Sequence, residues 1–218
     1  MSGLIKRIAA PHWSSLLNPA AVGASPYFVD TFLAEIPTAN TKSQANYETS
    51  EALNKFTRAF FSNARFQAEA MVLHAVGLRS SVHDPSESEW RVGDTYRGFS
   101  VIHRDTLEGD DGSISQIVLH CGAPEDLNRV EHAANDNQIE TRTWLAVRSK
   151  PRPDGQSEQS CPEEIEVYFG SGLVTRNGAP PSRIGGAFMQ ALLPFHLWYS
   201  RFLFKGALQA MHVNSGQS

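Results

Sequence analysis

The apolar positions of the chain change period along its length. In EALNKFTRAFFSNARFQAEAMVLHAVGL, residues 51–78, Leu53, Phe56, Phe60, Ala64, Met71, Ala75 and Leu78 recur at steps near three and four, the spacing of one helical face. Gly77 supplies a C-terminal stop, and Ser62-Asn63 in mid-pattern offers a point at which the stretch divides into two shorter helices. After Trp90 the period falls to two. VGDTYRGFSVIHRD, SISQIVLHCG, TRTWLAVRS and EEIEVYFGSGLVTR read as strands, separated by turn or loop chemistry at EGDDG, APEDLNRVEHAANDNQ and KPRPDGQSEQSCP. Upstream, YFVDTFLAEI lies between Pro26 and Pro37 and reads as a first strand. GGAFMQALLPFHLWYSRFLFKGALQAM closes the pattern as a long apolar helix.

Runs of one element type, rather than strict alternation, define an α+β class. On the last strand Ile165, Val167, Phe169 and Leu173 form the expected inward set, while Glu164, Glu166 and Tyr168 fall on a face expected to be wet. A curved antiparallel sheet wrapped around the long C-terminal helix buries both apolar faces and leaves a ligand cavity between them. One domain covers residues 1–218, with 1–25 as an N-terminal extension and 150–162, rich in Pro, Ser and Gln, as a mobile loop.

The net charge of -4 and the absence of a basic stripe leave nothing to neutralise phosphates, so nucleic acid is excluded as a partner. Cys121 and Cys161 lack metal-type spacing and read as free thiols. The opening MSGLIKRIAAPHWSSLLNP is too broken for a signal sequence, and Gln190, Pro194, His196, Ser200 and Arg201 interrupt the one stretch that approaches a membrane span. A cytoplasmic location without a membrane span is the expectation.

Short motifs add little. Gly170-Ser171-Gly172 is not a nucleophile elbow and reads as a bulge or bend; no glycine fingerprint for a dinucleotide occurs; the histidines lack metal-ligand spacing. His120 and Cys121, as strand neighbours, point to opposite faces and cannot pair. Trp144 reads as core. No cofactor and no metal are expected.

LLPFHLWYSRFLF carries the candidate chemistry. Phe188, Leu192, Phe195, Tyr199, Phe202 and Leu203 share a broad apolar arc, with His196 on its edge. Pro194 cannot donate to the carbonyl of Gln190 and opens or kinks the helix there. His196 is either a core histidine satisfied by a backbone carbonyl or, with Tyr199, a hydrogen-bonding group aimed at a ligand. His103, with Phe99 and Val101 assigned to the same strand face, would approach from the sheet, and Leu145, Val167, Phe169, Leu192 and Phe195 would line the cavity. Leu197, Trp198 and Phe204 are the candidates for a homodimer contact.

ARFQAEAMVLHAVGL, VGDTYRGFSVI, TRNGA and LLPFH, in this order, resemble a domain-of-unknown-function family found fused behind short-chain-dehydrogenase-like domains. The resemblance spans about Tyr27 to Leu208. Where that family carries a His-Leu-Asp element after the EGDDG-like turn, this chain reads SISQIVLHCG. By element order the family is similar to the helix-grip superfamily of START and Bet v 1-like lipid carriers and polyketide cyclases, which implies a pocket for a hydrophobic ligand. A pocket of this kind, with His196 and Tyr199 as its catalytic pair, implies a cofactor-independent cyclase or isomerase. It would act on a terpenoid or polyketide by folding the substrate and polarising a carbonyl, including a Diels-Alder type closure. The alternative is a non-catalytic carrier or sensor of the same ligand.

Overall fold

The computed structural model describes residues 4–22, 25–37, 48–67, 90–96, 98–109, 112–121, 140–150, 164–175 and 183–214, with the side chains of Val22, Ser25, Tyr27, Pro37, Cys121, Glu164, Thr175, Leu192 and residues 183–190 and 212–214 outside that description. The chain runs β1 (Lys6–Ile8), a 3-10 turn (Ser15–Leu17), α1 (Pro19–Val22), β2 (Ser25–Pro37), α2 (Thr49–Ser62), β3 (Thr95–Tyr96), β4 (Phe99–Gly109), β5 (Gly112–Cys121), β6 (Glu140–Ser149), β7 (Glu164–Thr175) and α3 (Arg183–Asn214). The strands form one seven-stranded sheet in the order β1-β2-β7-β6-β5-β4-β3. Every described pairing in it is antiparallel. The fold is α+β, with an antiparallel sheet and a C-terminal helix.

Residues opposite one another across a ladder share a sheet face. Phe32, Phe169, Leu145 and Ile117 therefore define an inner face. Against its middle lies α2, whose buried Leu53, Phe56 and Phe60 show the helical spacing expected of them, with Phe61 buried beside them; Ala64, expected on the same face, is exposed beyond the break at Asn63. The helix ends where Asn63 takes an extended conformation (φ -66°, ψ 143°), and a new helical turn starts at residue 64. Asn63 Oδ1 caps that turn by accepting from the backbone N–H groups of Arg65 and Phe66. The expected division at Ser62-Asn63 thus has a capping side chain behind it; the remainder of the helical pattern, from residue 68 to 89, lies outside the described residues, as do residues 151–163 of the loop and residues 176–179 of TRNGA.

The C-terminal helix runs unbroken through the exposed Pro194. Its packed stripe is Ser200, Leu203, Phe204, Ala207 and Leu208; of the arc expected from the wheel, Leu203 is buried and Tyr199 packs against the core, whereas Phe195 and Phe202 are exposed. Phe204 is fully buried, its ring stacked on Phe169 and set edge-on to Phe56, so it belongs to the core rather than to a dimer surface. Gly206 sets the crossing. A Cβ there would lie 2.8 Å from Asn63 Oδ1 and 2.9 Å from Arg65 Cδ, so only glycine lets α3 approach the end of α2 this closely.

The outer face is not wet. Leu16, Val118, Trp144, Ala146, Tyr168 and Val174 form a second buried cluster, with Trp13, Leu33 and Ile102 packed against it. The N-terminal residues supply the cover. Trp13 sits edge-on to Tyr168, and Gln116 Oε1 accepts both from the Ser15 backbone N–H and from Trp144 Nε1. Glu166, expected in water, is 6% exposed and pairs with Lys150 Nζ at 3.0 Å and Arg148 at 3.6 Å, while Tyr168 donates to it at 2.7 Å. Gly170 and Gly172 keep the β7 ladder in register and do not form a bulge; they clear space on the outer face for Leu16 and the Trp144 ring.

Candidate functional site

One polar row crosses the inner face. Asp30 on β2 stands opposite Ser171 on β7, which stands opposite Thr143 on β6. Asp30 is 1% exposed, and one of its oxygens, Oδ1, accepts the Ser171 backbone N–H at 3.2 Å. The same oxygen lies 3.6 Å from Nε2 of His196 on α3, whose side chain is 29% exposed. Oδ1 has the Ser171 N–H, whereas Oδ2 of Asp30 and Nε2 of His196 are buried without a hydrogen-bond partner, so carboxylate and imidazole meet at ion-pair distance only. Phe28, one inward position earlier on β2, meets the imidazole edge-on with ring centroids 6.2 Å apart.

The group facing the His196 ring is a carboxylate rather than a backbone carbonyl freed by Pro194. Nε2 faces Asp30, which leaves Nδ1 as the nitrogen available to a ligand at the half-exposed edge of the ring. A carboxylate behind an imidazole fixes its orientation and balances the charge of a transferred proton. Tyr199 is half-buried, and its ring stacks on Phe195 at 6.0 Å with the planes 5° apart.

The other residues singled out from the sequence separate into two groups. Phe99, Val101, Leu145, Val167 and Phe169 belong to the packed inner core with Phe60, Phe61, Phe66 and Phe204. Leu192 is on the helix turn before His196, with its side chain outside the described set. His103 does not share a face with Phe99 and Val101. A register shift between Val101 and His103 places His103 opposite Val118, on the outer side, 3.4 Å from Asp105. It cannot approach His196 through the sheet.

Asp30 is the candidate residue that sequence reasoning missed. Its signal was present: Phe28, Asp30, Phe32, Ala34 and Ile36 alternate along one strand face, and the acid interrupts an otherwise apolar row. A second buried polar group lies on the outer face. Arg142 reaches His120 Nδ1 at 2.6 Å and Glu140 at 2.7 Å, which gives His120 a structural role apart from any thiol chemistry.

Among the described residues no helix is long and apolar enough to cross a membrane, and no three His, Cys, Asp or Glu side chains cluster as metal ligands. No protein-family model and no curated protein matches the chain.

Proposed function

We propose that the chain is a cofactor-independent cyclase or isomerase of a hydrophobic, carbonyl-bearing metabolite of the terpenoid or polyketide type. The observation that carries this reading is the buried Asp30 carboxylate set 3.6 Å from His196 at the half-exposed edge of the inner face. A substrate seated against Phe28, Phe195 and Tyr199 would present its carbonyl to His196 Nδ1, with the Tyr199 hydroxyl as a second donor. His196 Nδ1 polarises the carbonyl by hydrogen bonding, water takes the proton from the α-carbon as the C–H pair becomes the enolate double bond, and a proton returned at the γ-carbon re-forms the carbonyl, so no cofactor is consumed and the atoms balance. Orientation of a flexible chain over the aromatic surface supplies the rest of the barrier reduction, including for a Diels-Alder type closure. The sheet and terminal helix, in an order similar to helix-grip proteins, support a ligand space at this end of the inner face.

The test is direct. A β,γ-unsaturated steroid ketone is incubated with the protein in deuterated water, and α-deuteration and growth of the conjugated enone are followed by NMR and ultraviolet absorbance. Turnover that falls about tenfold or more in His196→Ala supports the isomerase; saturable binding of the ketone with no exchange in the wild type identifies a carrier.

A further inference from the structure

The groove between α3 and the β1–β2 edge assigns a second ligand site, and we propose that it binds a single-chain amphiphile with an anionic head, of the fatty-acid carboxylate type. The groove encloses about 480 Å³, with Ile5, Ala34 and Ile36 on the strand side and Trp198, Phe202 and Leu208 on the helix side. That volume falls within the roughly 300–1,000 Å³ of small-molecule sites. Its apolar walls are poorly covered by the protein itself: Leu4 is 72% exposed and Trp198 is 59% exposed. Exposed apolar surface concentrated around a concavity marks a binding site rather than chance exposure.

The head group follows from charge. Arg201 and Lys205 also line the groove, both exposed, and neither makes an ion pair with a carboxylate among the described residues. On the strand side Arg7, opposite Phe32, is exposed but does not line the groove, while Lys6 and Lys150 pair with Glu35 at 3.4 Å each on the other sheet face. Two cations spaced i, i+4 on one helix repel, and an anion bound between them removes that repulsion. The far wall is held in place. Arg65 lies over the Phe202 ring at 4.1 Å, donates to the Phe202 carbonyl at 2.6 Å and reaches Gln209 Oε1 at 3.2 Å. The apolar trough takes the alkyl chain and the Arg201–Lys205 pair takes the carboxylate.

Calorimetry with dodecanoate below its micellar concentration is the experiment, with methyl dodecanoate and dodecyltrimethylammonium as head-group controls and Trp fluorescence as a second readout. One-to-one binding of dodecanoate with a blue shift that is lost in Trp198→Phe is expected. The double substitution R201E/K205E, at two exposed positions, should keep the melting temperature, weaken dodecanoate by about tenfold or more, and turn the preference toward the ammonium amphiphile. Absence of dodecanoate binding, or equal affinity for acid and methyl ester, overturns the proposal. So does co-sedimentation with phosphatidylcholine–phosphatidylserine vesicles without binding of the free amphiphile, which would make the surface a membrane contact, or a dimer that splits on Trp198→Ala, which would make it a contact between copies. His196→Ala should bind dodecanoate like the wild type, so failure here and failure of the isomerase reading are separable.

Discussion

The carboxylate of Asp30 and the imidazole of His196, brought from the first long strand and the last helix, face each other at 3.6 Å over the inner side of the sheet. The acid is buried and its base is half-exposed, so the pair has a protected side and a side open to a ligand.

Asp30→Asn keeps the oxygen that accepts the Ser171 N–H and removes only the charge behind His196. Turnover of the β,γ-unsaturated ketone should fall about tenfold to a hundredfold, roughly 1.4–2.7 kcal/mol of transition-state stabilisation, with the fold retained. His196→Ala should lose a similar factor, His196→Gln less because it keeps a donor, and the double variant little more than either single one. Rates per folded molecule, measured beside thermal melts, check this. A drop in melting temperature with unchanged turnover would assign the pair to stability alone.

Val167 is fully buried among Leu145, Phe169 and the α2 phenylalanines. Val167→Asp places an unpaired carboxylate in that core and should abolish folding, with loss of near-ultraviolet circular dichroism and of a cooperative melt. A soluble, cooperatively melting variant would show that water reaches the inner face.

The strands were legible because their period of two is punctuated by turn residues, and the end of α2 because Asn63 is both a helix breaker and a cap. The facing of α3 was not, since Phe195, Trp198 and Phe202 on one side are as apolar as Leu203, Phe204 and Ala207 on the other. Periodicity cannot choose between two apolar stripes; the contact with α2 at Gly206 does. His103 was misplaced by one bulged residue, which is enough to reverse the facing of a strand side chain. The N-terminal PHWSSLLN has no period, so its role as cover for the outer face depends on tertiary contacts that no local pattern encodes. Asp30 was visible as a break in an apolar row, but its partner lies at the other end of the chain.

Gly170→Ala tests that cover. Its Cβ would meet Trp144 Cε3 at 2.8 Å and Leu16 Cδ2 at 3.3 Å, between two fully buried side chains. Chemical denaturation should show a loss of about 1–3 kcal/mol from overpacking. At Gly172 the nearest approach is 3.1 Å, to Leu16 alone, so Gly172→Ala should cost less. Equal or negligible effects would mean that the N-terminal segment yields freely.

The last expectation concerns alkaline pH. Burial raises the affinity of the Tyr168 phenol for its proton well above the ordinary value near 10, and the hydrogen bond to Glu166, together with that carboxylate's charge, raises it further, against a smaller opposing effect of Arg148. The folded chain therefore holds this proton where the unfolded chain releases it. The stabilisation is complete below the unfolded value near 10 and is lost as pH rises toward the folded value, so the free energy of unfolding should decline from about pH 10 upward. Tyr168→Phe removes the titrating group together with its 2.7 Å bond to Glu166, which still has Lys150 at 3.0 Å. The variant should be about 1 kcal/mol less stable at neutral pH, the typical net value of such a bond, yet show a shallower decline in alkali. Urea midpoints across the alkaline range, read alongside phenolate absorbance, measure both. Parallel pH profiles for the two proteins would locate the alkaline transition in another group.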